Sequence, residues 1–175
     1  SSPTLTTSQE PTTTAVPSTA KGVLGPFGAD GVWLGMPARL AARLAVGRSP
    51  LPPKALGMSG CVGYAIFVPT PEPPATAGSA RVSKPGLITV VISPSQGVVE
   101  LGGVTSLRTP EGIGLGTSAK QVYATYRKVG YPARLPTTLL AGVPGNLAAA
   151  YVFNVDSAGI VRSIWLRVEG DPHCR

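Results

Sequence analysis

Gly31-Val32-Trp33-Leu34-Gly35-Met36-Pro37-Ala38-Arg39 and, 81 residues later, Gly112-Ile113-Gly114-Leu115-Gly116-Thr117-Ser118-Ala119-Lys120 share one pattern. It runs glycine, β-branched residue, any, leucine, glycine, any, any, alanine, base. A helix-like stretch follows each copy. After the second, Ser118 is a good N-cap with Gln121 three residues on, Val122, Tyr126 and Val129 fall on one face, and Gly130 is a stop. After the first, Pro37 suits a first helical turn, Leu40 and Leu44 form the apolar stripe, and Gly47 ends it.

Strand-like runs come next in both halves. In the first they cover 61–68, 87–93 and 98–107, with Ser93-Pro94-Ser95-Gln96-Gly97 as a turn between the last two. In the second, 148–155 and 160–168 are joined by the hairpin signal Asp156-Ser157-Ala158-Gly159. A helix followed by antiparallel strands, twice over, predicts an α+β fold of two repeats sharing a sheet. The first repeat spans 23–108 and contains a Pro-rich surface loop at 69–85, while the second spans 109–175.

Residues 1–22 are a different material. Thr4, Thr6, Thr7, Thr12, Thr13 and Thr14 are broken by Pro3, Pro11 and Pro17, with too little apolar area to offset the entropy of ordering. A disordered tether is expected, of the kind that follows a lipid-modified cysteine at a bacterial cell surface. The longest strictly apolar run, 147–153, is too short to span a bilayer, so any membrane attachment is expected through a lipid anchor outside this chain.

The chain carries 15 Lys and Arg against 8 Asp and Glu, for a net charge of +7. Those cations are scattered singly apart from Arg127-Lys128, with no accompanying aromatic cluster, so nucleic acid is not the expected partner. An acidic protein patch or an anionic envelope polymer fits the field better.

The repeat residues resemble the tandem unit of the β-lactamase-inhibitory-protein superfamily, whose fold also occurs in small outer-membrane assembly lipoproteins. Those units likewise open with a Gly-hydroxyl helix start, as in Leu115-Gly116-Thr117-Ser118, followed by a Gln-Val such as Gln121-Val122. The segments Thr109-Pro110-Glu111-Gly112-Ile113 and Val143-Pro144-Gly145-Asn146 are also similar to uncharacterised exported proteins of high-G+C bacteria. The resemblance covers most of 25–170 and implies a binding module. Pro37 in the first unit's N-cap slot is a departure. The superfamily's inhibitors bind through an aromatic-rich concave sheet, whereas aromatics are 6% of this chain, which points away from β-lactamase inhibition itself.

No linear motif carries chemistry. Gly112-Ile113-Gly114-Leu115-Gly116 imitates a phosphate-cradling loop, yet Trp33 replaces Gly114 in the other copy and neither has the Lys-Ser/Thr of a P-loop. His173 stands beside Cys174 near the C-terminus without an orienting third group, so a structural disulfide between Cys61 and Cys174 is expected in place of a nucleophile or a zinc site. Asp30, Glu100, Glu111, Asp156, Glu169 and Asp171 read mostly as turn or strand-end acids, and Asp30-Gly31 and Glu111-Gly112 as one duplicated turn. No catalytic residue, metal or cofactor is expected.

What remains is a non-enzymatic, exported recognition or inhibitor-like module. The rivals are a cell-wall-acting hydrolase or transferase and a structural envelope-assembly factor. Applying the strand period of two to the last hairpin pairs Val155 with Ile160, Tyr151 with Ile164 and Ala149 with Leu166 on the helix side. The opposite face then carries Asn154 beside Val161, Val152 beside Ser163, Ala150 beside Trp165 and Ala148 beside Arg167. Trp165, Arg167, Val152, Asn154 and Ser163 are the expected partner-binding residues.

Overall fold

The computed structural model describes residues 21–44, 50–51, 62–67, 87–131 and 135–169, with 50, 51, 62–67 and 87 described by backbone alone. The expected tether up to residue 20, the 69–85 loop, Gly47, Cys61, Asp171, His173 and Cys174 lie outside the described residues.

Among the described residues one antiparallel sheet dominates, with two short helices against it. In chain order the elements are β1 (Gly28–Ala29), β2 (Val32–Trp33), α1 (Ala38–Leu44), β3 (Pro50–Leu51), β4 (Val62–Phe67), β5 (Leu87–Ser93), β6 (Gly97–Gly103), α2 (Ala119–Thr125), β7 (Val129–Gly130), β8 (Thr138–Val143), β9 (Asn146–Val155) and β10 (Val161–Val168). β1 and β2 form a two-residue hairpin, and the others make an eight-stranded sheet in the order β3-β4-β5-β6-β10-β9-β8-β7. The coarse expectation of helices on an antiparallel sheet therefore holds.

The two lead-ins to the helices share a backbone geometry. Gly31 and Gly112 have φ of 85° and 84°, and Gly35 and Gly116 have 79° and 81°, a region that any side chain would strain. Gly35 N donates to Val98 O and Val98 N to Met36 O, at 2.7 and 2.9 Å. Gly116 N donates to Val161 O and Val161 N to Thr117 O, at 3.0 and 2.9 Å. Each lead-in is thus sewn onto the second strand of a hairpin, β6 in one case and β10 in the other.

Both hairpins also carry an extra residue at the same place. Ile92 faces Val98 while Val91 faces Glu100, so Val99 is the bulge in β6. Val155 faces Val161 while Asn154 faces Ser163, so Arg162 is the bulge in β10.

This bulge corrects the sequence-derived register. A straight ladder put Val161 on the outer face and Arg162 on the helix side. Instead Val161 is fully buried in the helix-side core, and Arg162 swings outward to Asp156 in the turn, with Arg162 Nε donating to Oδ2 at 2.7 Å. Asp156 also accepts Ala158 N and Ile160 N on Oδ1, and the Ile160 bond first, then Arg162, holds its carboxyl below the ordinary range. The anchored turn fixes where the extra residue goes.

The helices are shorter than their patterns. Ser118 does cap α2, its side chain accepting Gln121 N while Gln121 Oε1 accepts Ser118 N. However, Tyr126 is already extended, and Val129 and Gly130 leave to pair with Ala141 and Leu140 as β7. In α1 the fully buried contact is Ala41 at 1% exposure; of the expected stripe Leu40 packs half-buried against the core, while Leu44 is 40% exposed. The small side chain lets the helix lie close to β6.

The core fills the helix side of the sheet. Tyr151, Phe153, Leu139, Ile164, Leu166, Leu101 and Val90 pack against Leu24, Met36, Ala41, Val122 and Tyr126. The Tyr126 ring lies 5.8 Å from Tyr151 and 5.9 Å from Phe153, within the range of favourable aromatic pairing. The acids expected as one duplicated turn do different work. Asp30 Oδ1 accepts Gly22 N, and Glu111 Oε2 accepts the Tyr126 hydroxyl.

Candidate functional site

Strand alternation sends every second residue to the face away from the helices. There the registers align three rows. Thr138, Asn154 and Ser163 form one; Leu140, Val152, Trp165, Gly102 and Thr89 the next; Gly142, Ala150, Arg167, Glu100 and Val91 the third. All five residues expected to bind a partner therefore share this face. Their neighbours differ from the straight-ladder pairing, because the Arg162 bulge shifts β10: Trp165 stands beside Val152, Arg167 beside Ala150, and Ser163 beside Asn154.

Trp165 occupies the centre. Its partner across the β6–β10 seam is Gly102, which lacks a side chain and leaves room for the indole. The indole Nε1 donates to Ser163 Oγ at 3.2 Å, Asn154 Nδ2 donates to the same oxygen at 2.8 Å, and Thr138 Oγ1 donates to Asn154 Oδ1 at 2.9 Å. This chain of side-chain bonds across β8, β9 and β10 fixes the tryptophan's orientation. Trp165, Arg167, Asn154 and Ser163 are half-buried, whereas Val152, the cross-strand neighbour of Trp165, is only 5% exposed.

Glu100 is the residue that sequence reading missed here. Read as one of the turn or strand-end acids, it sits in the middle of β6, buried, opposite Arg167, and its Oε2 has no hydrogen-bond partner among the described residues. Burial pushes its carboxyl above the ordinary range, and the charge of Arg167 opposes that shift. The signal in the sequence was the acid interrupting the apolar run Val98-Val99-Glu100-Leu101. An acid whose folded pKa is raised contributes its stability below the unfolded carboxylate range, and loses it as pH rises through the folded value. Glu100→Gln should therefore flatten the fall in stability as pH rises above the ordinary carboxylate range, gaining about 1–3 kcal/mol at the upper end. Urea unfolding at several pH values checks this, and a parallel profile for both proteins would reject it.

The glycine loop offers no anion cradle. Gly112 N, Ile113 N, Gly114 N and Gly116 N all donate inward, to Thr109 O, Thr109 Oγ1, Thr117 Oγ1 and Val161 O. Among the described residues no group of three or more His, Cys, Asp or Glu could hold a metal ion, and no helix is long and apolar enough to cross a membrane. The chain matches no family model, no curated protein and no solved structure.

Proposed function

We propose that this chain is an exported, non-enzymatic recognition or inhibitor-like module, built from two α+β repeats and held at the cell surface by its Thr/Pro/Ser tether. Its occupant is a protein or an anionic envelope polymer, met by the sheet face centred on Trp165. The observation that carries this reading is the tryptophan itself. It is large, half-exposed and oriented by Ser163, and it has Arg167 beside it on the same strand. Aromatic and arginine anchors of that kind dominate interfaces. The matching helix lead-ins and bulges support the two-repeat architecture, and on that mapping Gly102 and Trp165 are equivalent positions paired with each other. The net charge of +7 favours an acidic partner. A Cys61–Cys174 bond tying the two repeats together belongs to the same proposal.

Trp165→Ala tests it. Affinity capture of envelope material from the producing organism, read by mass spectrometry, should lose its partner, with binding weakened by about thirtyfold or more and the melting temperature little changed. A loss of about 3–5 kcal/mol of stability would make the indole a packing residue and end the proposal.

Glu100 favours the rival reading, a cell-wall-acting hydrolase or transferase, because a buried acid whose carboxyl is pushed above the ordinary range is the kind of group that serves as a general acid. Glycoside hydrolysis works with a pair of carboxylates. Among the residues of that face's three aligned rows Glu100 is the one carboxylate, which keeps recognition as the better reading.

A further inference from the structure

A separate cleft of about 680 Å³ opens on the other side of the second half, where α2 ends and the β8–β9 hairpin runs on. Thr125 and Tyr126 at the end of the helix contribute to its wall, and Val143, Pro144 and Leu147 give it an apolar lining. That volume falls within the ordinary range of small-molecule sites. Leu147, just past the Pro144-Gly145 turn, is 96% exposed, an unusual cost for a large aliphatic side chain on a short hairpin.

The charges at this cleft are arranged, not scattered. Arg127 and Lys128, the one adjacent pair of cations in the chain, stand on its outer side, and neither joins an ion pair among the described residues. Lys128 O accepts Gly142 N, which puts Lys128 at the outer edge of β8. Glu169 lines the opposite side, and its N–H donates to Ala148 O on the far side of β9. Three strand spacings, roughly 14 Å, separate the cations from this acid.

We infer that the cleft binds a free, single-chain anionic amphiphile, one acid group on a hydrocarbon body. The acid lies against Arg127 and Lys128, and the hydrocarbon covers Leu147, Pro144 and Val143. Glu169 at the inner end repels a second acid, so a ligand acidic at both ends is rejected. This site is distinct from the face around Trp165.

Isothermal titration of the full chain with dodecanoate, below its micelle concentration, tests the inference. One saturable site in the micromolar range is expected. Dodecanedioate, dodecanol and dodecyltrimethylammonium should each bind at least tenfold more weakly. Arg127→Glu with Lys128→Glu, and separately Leu147→Asp, should weaken dodecanoate at least tenfold; all three side chains are exposed, so an unchanged circular dichroism spectrum is the accompanying control. Glu169→Gln should bring dodecanedioate close to dodecanoate, while Trp165→Ala should leave the titration unchanged. Equal binding of dodecanol, indifference to the charge reversal, or binding to phosphatidylglycerol vesicles without a saturable dodecanoate site would overturn it.

Discussion

Gly102→Ala should destabilise the protein by about 3–5 kcal/mol, lowering the melting temperature by about 10 °C or more. A Cβ built there would run into the carbonyl oxygen of Ile164 and sit 2.6 Å from Cα of Trp165. Both are backbone atoms of β10, so no side-chain rotation relieves the clash. Its φ of 147° adds strain for any other residue. The two strands would have to part where Trp165 faces Gly102 and Ile164 faces Gly103, which is the seam joining the halves of the sheet. Gly142→Ala is the control, since a Cβ there meets nothing within 4 Å. Urea denaturation of the pair should separate them clearly; equal midpoints would mean the seam is looser than described.

Tyr151→Ala should cost about 3–5 kcal/mol, and Tyr151→Phe about 1–2 kcal/mol. The side chain is fully buried between Tyr126 and Phe153, and its hydroxyl donates to Leu24 O at 2.9 Å. Burial pushes this phenol above its ordinary range, which favours the protonated form that donates this bond. The alanine variant removes the ring from the core. The phenylalanine variant keeps the ring and strips Leu24 O of that bond, loosening the segment that pairs through Leu24 N with Arg108 O. Hydrogen exchange at Leu24 should accelerate in the phenylalanine variant while the β9 amides stay protected. Uniform acceleration along β9 would contradict this division.

Local signals in the sequence carried much of this fold. The Ser118–Gln121 cap, the Asp156–Gly159 turn and the glycine-led helix starts each depend on a few neighbouring residues, so their chemistry is readable without the rest of the chain. What escaped depends on partners distant in sequence. Arg162 became a bulge because Asp156 held the turn and Thr117 claimed Val161 N, a contact across 44 positions. β8 was missed although a Pro144-Gly145 turn follows it, since Gly142 breaks its apolar alternation. Val129 left the helical face because β8 offered Ala141 as a strand partner. At the site, alternation put the five expected residues on one face, but Glu100 acquires its meaning only across the seam, opposite Arg167.

The sheet's two margins have a consequence for life in crowded solution. β3 and β7 are two residues each, and β3 opens with Pro50, which has no N–H to offer a neighbouring chain. The long ribbons, ten residues in β9 and eight in β10, lie well inside. Among the described residues, copies packed side by side therefore find no long flat border on which to add strand to strand, the contact from which fibrous stacking grows.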